Sequence, residues 1–169
     1  EAVVAAAGAV AGAATSTIDE VLILQTLCGE LAYAFELPLV YAARVQGDED
    51  EAEIIAAYAE PGRSNLQGQR IPLTLPALAH VLTHHTTLRI LEPQTDPRVG
   101  SWTGATLAGK TEALMLVPLM VRDRVVSVLG MVLPDANALN SSDVELIHNA
   151  AAAVAQAIET AALYREQQQ

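Results

Sequence analysis

Apolar positions fall along this chain in two rhythms. Val21, Leu24, Cys28, Leu31 and Phe35 are spaced by three and four residues, the period of one face of an α-helix. Leu22 and Leu27 widen the stripe, so this helix is expected to face more than one neighbour. Thr17-Ile18-Asp19-Glu20 fits a capping box, with Thr17 as N-cap and Glu20 reaching back. Pro38 ends the helix, because the residue before a proline resists helical geometry. The rhythm returns near the C-terminus in Ile147, Ala151, Val154, Ile158 and Ala161. A long helix is predicted there from near Asn140 to Gln167, with Asn140/Asp143 or Ser142/Glu145 as alternative capping pairs.

Between the two helices the apolar runs are shorter and read as strands. Leu39–Gln46 and Glu53–Ala59 flank the acidic turn Gly47–Glu51 and form a predicted hairpin. Pro61-Gly62 breaks it. Ile71-Pro72-Leu73 is extended, and Pro76 suits the first turn of a short helix to His84. Thr87–Leu91 is a short strand. The stretch Glu92–Gly109 has weak periodicity, two prolines and three glycines, and a long irregular stretch in a compact domain is usually functional or mobile. Glu112–Val121 and Val125–Leu133 then flank the turn Arg122-Asp123-Arg124. Nearly every residue of Val125–Leu133 is apolar, which predicts a central strand covered on both faces. The runs together suit an antiparallel sheet of five to six strands.

Composition narrows the function. A chain of 169 residues fits one domain with a sizeable core. Hydrophobic residues make up 51 % and many are alanine, so the core is built from small side chains and helical faces. The net charge is −11 and the nine Lys and Arg are scattered, which argues against nucleic acid and against direct contact with an anionic membrane. Aromatics, at 4 %, are too few for base-stacking platforms. The single Cys28 excludes an intrachain disulfide and a Cys-rich zinc site and is compatible with the cytoplasm. Residues 1–16 lack a basic leading region and are interrupted by Gly8 and Gly12, so they read as a linker or frayed helix rather than a signal peptide. No apolar run reaches the roughly 18–20 residues needed to span a bilayer.

Four segments, in order, carry a resemblance to a known family. Gly68-Gln69-Arg70-Ile71-Pro72-Leu73, followed by the short helix and Thr86-Thr87-Leu88-Arg89-Ile90, looks like the G-x-x-I-P segment of the GAF domains. Asp96-Pro97-Arg98 is similar to their D-P-R loop. Lys110–Leu114 through Val117-Pro118-Leu119 looks like K-S-x-L-x-V-P-L. Leu139–Leu146, running on to Leu163-Tyr164, is similar to the family's closing helix. The resemblance implies an α+β, GAF/PAS-like fold. Its central antiparallel sheet carries the N- and C-terminal helices on one face, while short helices and loops cover a pocket on the other. It also suggests the boundaries: residues 1–16 as linker, 17–166 as the GAF domain and 167–169 as the start of a C-terminal connector.

Candidate chemistry is sparse. Arg98, Trp102, Lys110 and Thr111 fall where the family covers its pocket, so Arg98 and Lys110 are candidates to pair with an anionic ligand and Trp102 to close over it. The alternative is that Arg98 neutralises neighbouring acids, Trp102 covers the sheet and Lys110 is solvated. His80 and His84 have the i, i+4 spacing of metal ligands, but no third ligand is evident, so no metal is assigned and surface histidines are the simpler reading. Haem ligation through them is disfavoured. Cys28 lies in an apolar stripe and reads as a buried structural thiol. Family members that attach a bilin do so through a Cys in the second half of the domain, where this chain has none, so a covalent bilin is disfavoured. Members that reduce free methionine sulfoxide use several cysteines, and one thiol cannot both attack and resolve. Of the Asn-Lys…Phe…Asp-Glu signature of cyclic-nucleotide binders, Leu139 replaces the Phe and Val144 the Glu.

No catalytic residues emerge. The resemblance implies a non-catalytic regulatory or sensory domain of a signalling protein, such as a sensor histidine kinase. It would bind a small molecule or partner and relay the signal through its C-terminal helix, which shows no terminator. The alternative is a structural dimerisation module with no ligand. The 3/4 stepping of both terminal helices suits a homodimer bundle, unless both stripes are used up on the domain's own sheet.

Overall fold

The computed structural model describes residues 17–100 and 112–168, with side chains over 20–100 and 112–164. In chain order the elements are α1 (Thr17–Phe35), β1 (Leu39–Arg44), β2 (Glu51–Ala59), β3 (Arg70–Pro72), α2 (Pro76–His84), β4 (Leu88–Ile90), β5 (Ala113–Val121), β6 (Arg124–Leu133) and α3 (Ser141–Gln168). The strands form one sheet in the order β3-β2-β1-β6-β5-β4, antiparallel throughout. The expected α+β architecture, with its two long helices on one face, is what forms. The linker predicted over residues 1–16 lies outside the described residues. Among those that are described, no helix is long and apolar enough to cross a membrane.

Both faces of the sheet are buried, and strand alternation decides which residue goes where. Val40 and Ala42 of β1 join Met115, Val117, Leu129 and Met131 under α1 and α3. Leu39, Tyr41 and Ala43 point the other way, with Leu114, Leu116, Val128 and Val132, toward α2 and the connecting loops. β6 lies between β1 and β5 and is buried along nearly its whole length, as its unbroken apolar run requires.

Local chemistry sets the ends of the elements. Glu36 adopts a left-handed conformation (φ 54°) and Leu37 N–H donates to the Ala32 carbonyl. This is a Schellman closure of α1, with Leu37 and Ala32 both buried beneath it. Asn140 and Asp143 cap α3 reciprocally: Asp143 N–H donates to Asn140 Oδ1 (2.8 Å) and Asn140 N–H to Asp143 Oδ2 (3.0 Å). Of the two predicted capping pairs the carboxylate three residues into the helix therefore belongs to Asp143. Glu20 accepts a bond from Arg44 of β1 at 3.0 Å, a charge-assisted bond; the expected capping box involves the Thr17 side chain, which lies outside the described residues. Arg122 and Asp123 both have positive φ (51° and 65°) between the paired Val121 and Arg124, the two-residue turn that matches strand twist.

The sheet edge at β2 is protected by side chains. The Gln25 amide of α1 both donates to the Ala57 carbonyl (2.7 Å) and accepts from the Ala57 N–H (3.2 Å). Gln67 donates to the Ile55 carbonyl at 3.2 Å. At the opposite edge Arg89 of β4 donates to the carbonyls of Ala136 (3.4 Å) and Leu139 (3.2 Å), holding the approach to α3.

Directly across the β1–β6 pair, Tyr41 faces Gly130. A Cβ at position 130 would overlap Cζ, Cε1 and Oη of the Tyr41 ring, so the ring lies across the backbone where there is no side chain. Two stability predictions follow from these contacts. Gly130→Ala is expected to destabilise the domain by about 1–3 kcal/mol through overpacking, and Tyr41→Ala by about 3–5 kcal/mol. In urea unfolding the double variant should lose clearly less than the sum, whereas strict additivity would show that the two positions do not interact. Asp123→Gly relieves a left-handed residue and should raise stability by about 1 kcal/mol, read as a higher Tm.

Candidate functional site

The face of the sheet opposite α1 and α3 is where a ligand pocket is expected. Its floor is Tyr41, Ala43, Leu114, Leu116 and Val128, and its cover is α2 with Ile71, Leu75 and Val99. The loops are pinned there by backbone bonds. Gly68 N–H donates to the Ile54 carbonyl (2.8 Å), and Ala77 N–H, in the first turn of α2, donates to the Arg98 carbonyl (2.9 Å). Leu66 and Val99 are fully buried beneath these loops. Among the described residues the free volume left between floor and cover is about 10 Å³, room for a single water at most. Tyr41 accounts for much of this closure, because its ring occupies the middle of the floor over Gly130.

A buried ion pair lies at the rim. Arg63, in the loop after β2, pairs through Nη2 with Oε2 of Glu112, the residue just before β5. Their side chains are only 8 % and 10 % exposed, and Arg63 Nε also reaches Glu60 at 3.4 Å. The pair ties the loop covering the face to the strand beneath it, 49 residues away in sequence. No local pattern pointed to it; Arg63 follows a Pro-Gly turn and Glu112 looked like the first residue of a strand.

The residues singled out from sequence separate. Arg98 sits on the Asp96–Gly100 turn, where its guanidinium donates to both oxygens of Asp96 at 2.6–3.2 Å and its N–H donates to Asp96 Oδ1 at 2.9 Å. These bonds hold the Asp96 carboxyl below the usual carboxylate range. Trp102, Lys110 and Thr111 lie outside the described residues. His80 and His84 stack with ring centroids 4.3 Å apart, and His84 Nδ1 is 3.0 Å from the His80 carbonyl. Among the described residues no group of three or more His, Cys, Asp or Glu is placed to hold a metal. His148 reaches Thr87 Oγ1 instead, at 2.6 Å. Cys28, on the inner face of α1, is fully buried and burial pushes its thiol far up, so the thiolate needed for nucleophilic or redox chemistry is suppressed.

Comparison with known proteins agrees with this architecture. A family model described as GAF domain matches residues 15–159. Among functionally curated proteins there is no match. The crystal structure of the GAF domain from an Acinetobacter phosphoenolpyruvate-protein phosphotransferase is similar with a TM-score of 0.74 at 13 % identity, over 96 % of this chain and 93 % of that one. A fragment of a methyl-accepting chemotaxis protein gives 0.73 at 20 %, over 93 % and 96 %. The free methionine-R-sulfoxide reductase from Neisseria meningitidis gives 0.70 at 16 %, over 94 % and 89 %. At these identities the likeness is one of fold.

Glu112→Gln, which removes a buried counter-charge of the Arg63 guanidinium while Glu60 stays within reach, should destabilise the domain in chemical denaturation by less than the roughly 3–5 kcal/mol of an isolated buried pair. Asp96, with a folded pKa below its unfolded one, stabilises the fold above the ordinary carboxylate range and loses that contribution as pH falls through its depressed value. Asp96→Asn should therefore flatten the acid limb of stability against pH and leave neutral-pH behaviour of the other carboxylates unchanged. Native protein should resist a thiol-specific reagent, with Cys28 reacting only as fast as the fold opens.

Proposed function

The chain belongs to the GAF domain family, and on that premise we propose that it is the non-catalytic regulatory module of a larger cytoplasmic signalling protein, such as a sensor histidine kinase, working as a homodimer through α1 and α3. GAF domains are generally regulatory or sensory, and the structural neighbours above come from a phosphotransferase, a chemotaxis protein and a reductase. The module proposed is residues 17–166, with α3 as the relay.

The observation that carries this reading is on the outer surface of the terminal helices. Leu22 (58 % exposed) and Tyr33 (86 %) stand out on α1, and Leu163 and Tyr164 on α3. Among the described side chains, which end at Tyr164, the last buried α3 position is Ala161. Large apolar side chains on helices that already fill a core with their other faces favour a second helical partner. A small displacement of α3 would then reach whatever follows the module.

Enzymatic turnover is not part of the proposal. Sulfoxide reduction by thiols needs an attacking thiolate and a second thiol to resolve it. Here the one cysteine is buried and its thiol is held protonated.

A second reading, a structural dimerisation module with no ligand, is favoured by the face opposite the helices, where the free volume among the described residues between floor and cover is about 10 Å³. Arg98, Trp102, Lys110 and Thr111 remain the proposed ligand contacts of the sensing reading.

Native mass spectrometry and light scattering test both readings. A dimer that Leu22→Glu with Tyr33→Glu converts to monomer, with unchanged circular dichroism, supports the regulatory module. A strictly monomeric wild type at high concentration sinks both readings. A small-molecule mass retained by freshly purified dimer favours sensing, and an empty dimer the structural role.

A further inference from the structure

Arginine is rationed in this acidic chain, yet three of its nine basic residues line one groove. The groove lies on the helix side of the sheet, at the end where β1 finishes and β6 begins, between the start of α1 and the later turns of α3. Its volume is about 450 Å³ and it opens to solvent, within the range of small-molecule sites. The walls are apolar: Val45, Val121 and Val126 from the sheet, Ile158 and Leu163 from α3. The rim carries Arg44, Arg122 and Arg124 with two acids, Glu20 and Glu159.

The pairing of those charges gives the groove its character. Arg44 of β1 holds Glu20 of α1 at 3.0 Å, and Arg122 of the β5–β6 turn holds Glu159 of α3 at 3.2 Å. Each terminal helix is thus fastened to the same end of the sheet by one arginine–glutamate pair. Among the described residues Arg124, exposed between them, has no ion-pair partner. An apolar trough with a spare guanidinium at its lip matches a molecule with a hydrocarbon body and one carboxylate, since the body gains from leaving water and the carboxylate takes the fork of Arg124.

We infer that this groove binds a small amphipathic carboxylate, and that its carboxylate, held by Arg124, competes with Glu159 for Arg122, the arginine that fastens α3. The Arg122–Glu159 pair is exposed and therefore weak, so a bound anion exchanges for it at little cost, while the part-buried Arg44–Glu20 pair stays in place. Binding would loosen the later turns of α3 without disturbing the core beneath its earlier ones. The site is separate from the covered face around Tyr41 and does not require that face to open. It rests on the regulatory reading above only for the consequence at α3; the binding itself does not depend on it.

The test uses octanoate as probe, with octanol and inorganic phosphate as the neutral and the bare-anion comparisons, followed by backbone amide NMR on the whole chain. Octanoate is expected to saturate at millimolar concentration or below, with shifts centred on Arg44, Val45, Val121, Arg124, Val126 and Leu163. Octanol and phosphate should bind at least about tenfold more weakly, and Arg124→Ala should weaken octanoate about tenfold, the loss of one charge-assisted bond. Arg124 makes no contact the fold relies on, so that variant remains folded, and Arg70→Ala, at an exposed arginine elsewhere, should bind as wild type. The inference is overturned by an absence of saturation, by octanol or phosphate binding as tightly as octanoate, by wild-type affinity in Arg124→Ala, or by shifts centred on Leu78 and Leu116 of the opposite face. A persistent dimer that ignores octanoate defeats this inference alone. A monomer that binds octanoate as described defeats the regulatory-dimer reading alone.

Discussion

Tyr41 and Gly130 form the contact on which the state of this domain turns. Two strands at the centre of the sheet, β1 and β6, are apolar on both faces, so neither face can be left to water. On one face α1 and α3 do the covering. On the other, among the described residues, the cover is the nine-residue α2 together with the loops around it. Glycine at 130 lets the Tyr41 ring lie down on the backbone and fill the middle of that face. Any larger residue would lift the ring and open the space that its ring now occupies.

The buried pair of Arg63 and Glu112 works on the same face from its rim. Desolvating two charges is costly, and an apolar pair of similar volume would often stabilise as well or better. What the ionic pair adds is registry: only one placement of the loop after β2 brings Arg63 to Glu112, and in that placement Leu66 is driven under the cover.

Periodicity and punctuation revealed much of this architecture in the chain alone. The helical stripes at Leu24–Leu31 and Ile147–Ala161, the apolar run of β6 and the turn at Arg122-Asp123 are local signals, and each appears where local physics places it. Interactions between distant segments were not legible. Tyr41 and Gly130 meet only because β1 and β6 pair in one register, and nothing near either residue encodes the other. Glu20 is a good capping residue by sequence, and nothing near it encodes the bond it accepts from an arginine on β1. For Arg98 the alternative reading, a guanidinium that neutralises a neighbouring acid, matches the bonds it makes to Asp96 two residues earlier. Family motifs identify the fold because they record such local signals; they do not name a ligand, because ligand contacts depend on side chains brought together across the sheet.

The distribution of strength along α3 shows how such a module could respond without coming apart. From Ile147 to Ala161 the helix buries an unbroken apolar face against β5, β6 and α1, and cutting into that face costs several kcal/mol per large side chain. Among the described side chains beyond Ala161, Ala162 and Leu163 line the groove, with the Arg122–Glu159 pair one turn earlier, and exposed ion pairs contribute at most about 1 kcal/mol. A perturbation of about 1–2 kcal/mol, the scale of typical coupling between sites, is comparable to such a pair and small against the buried face of Ile147–Ala161.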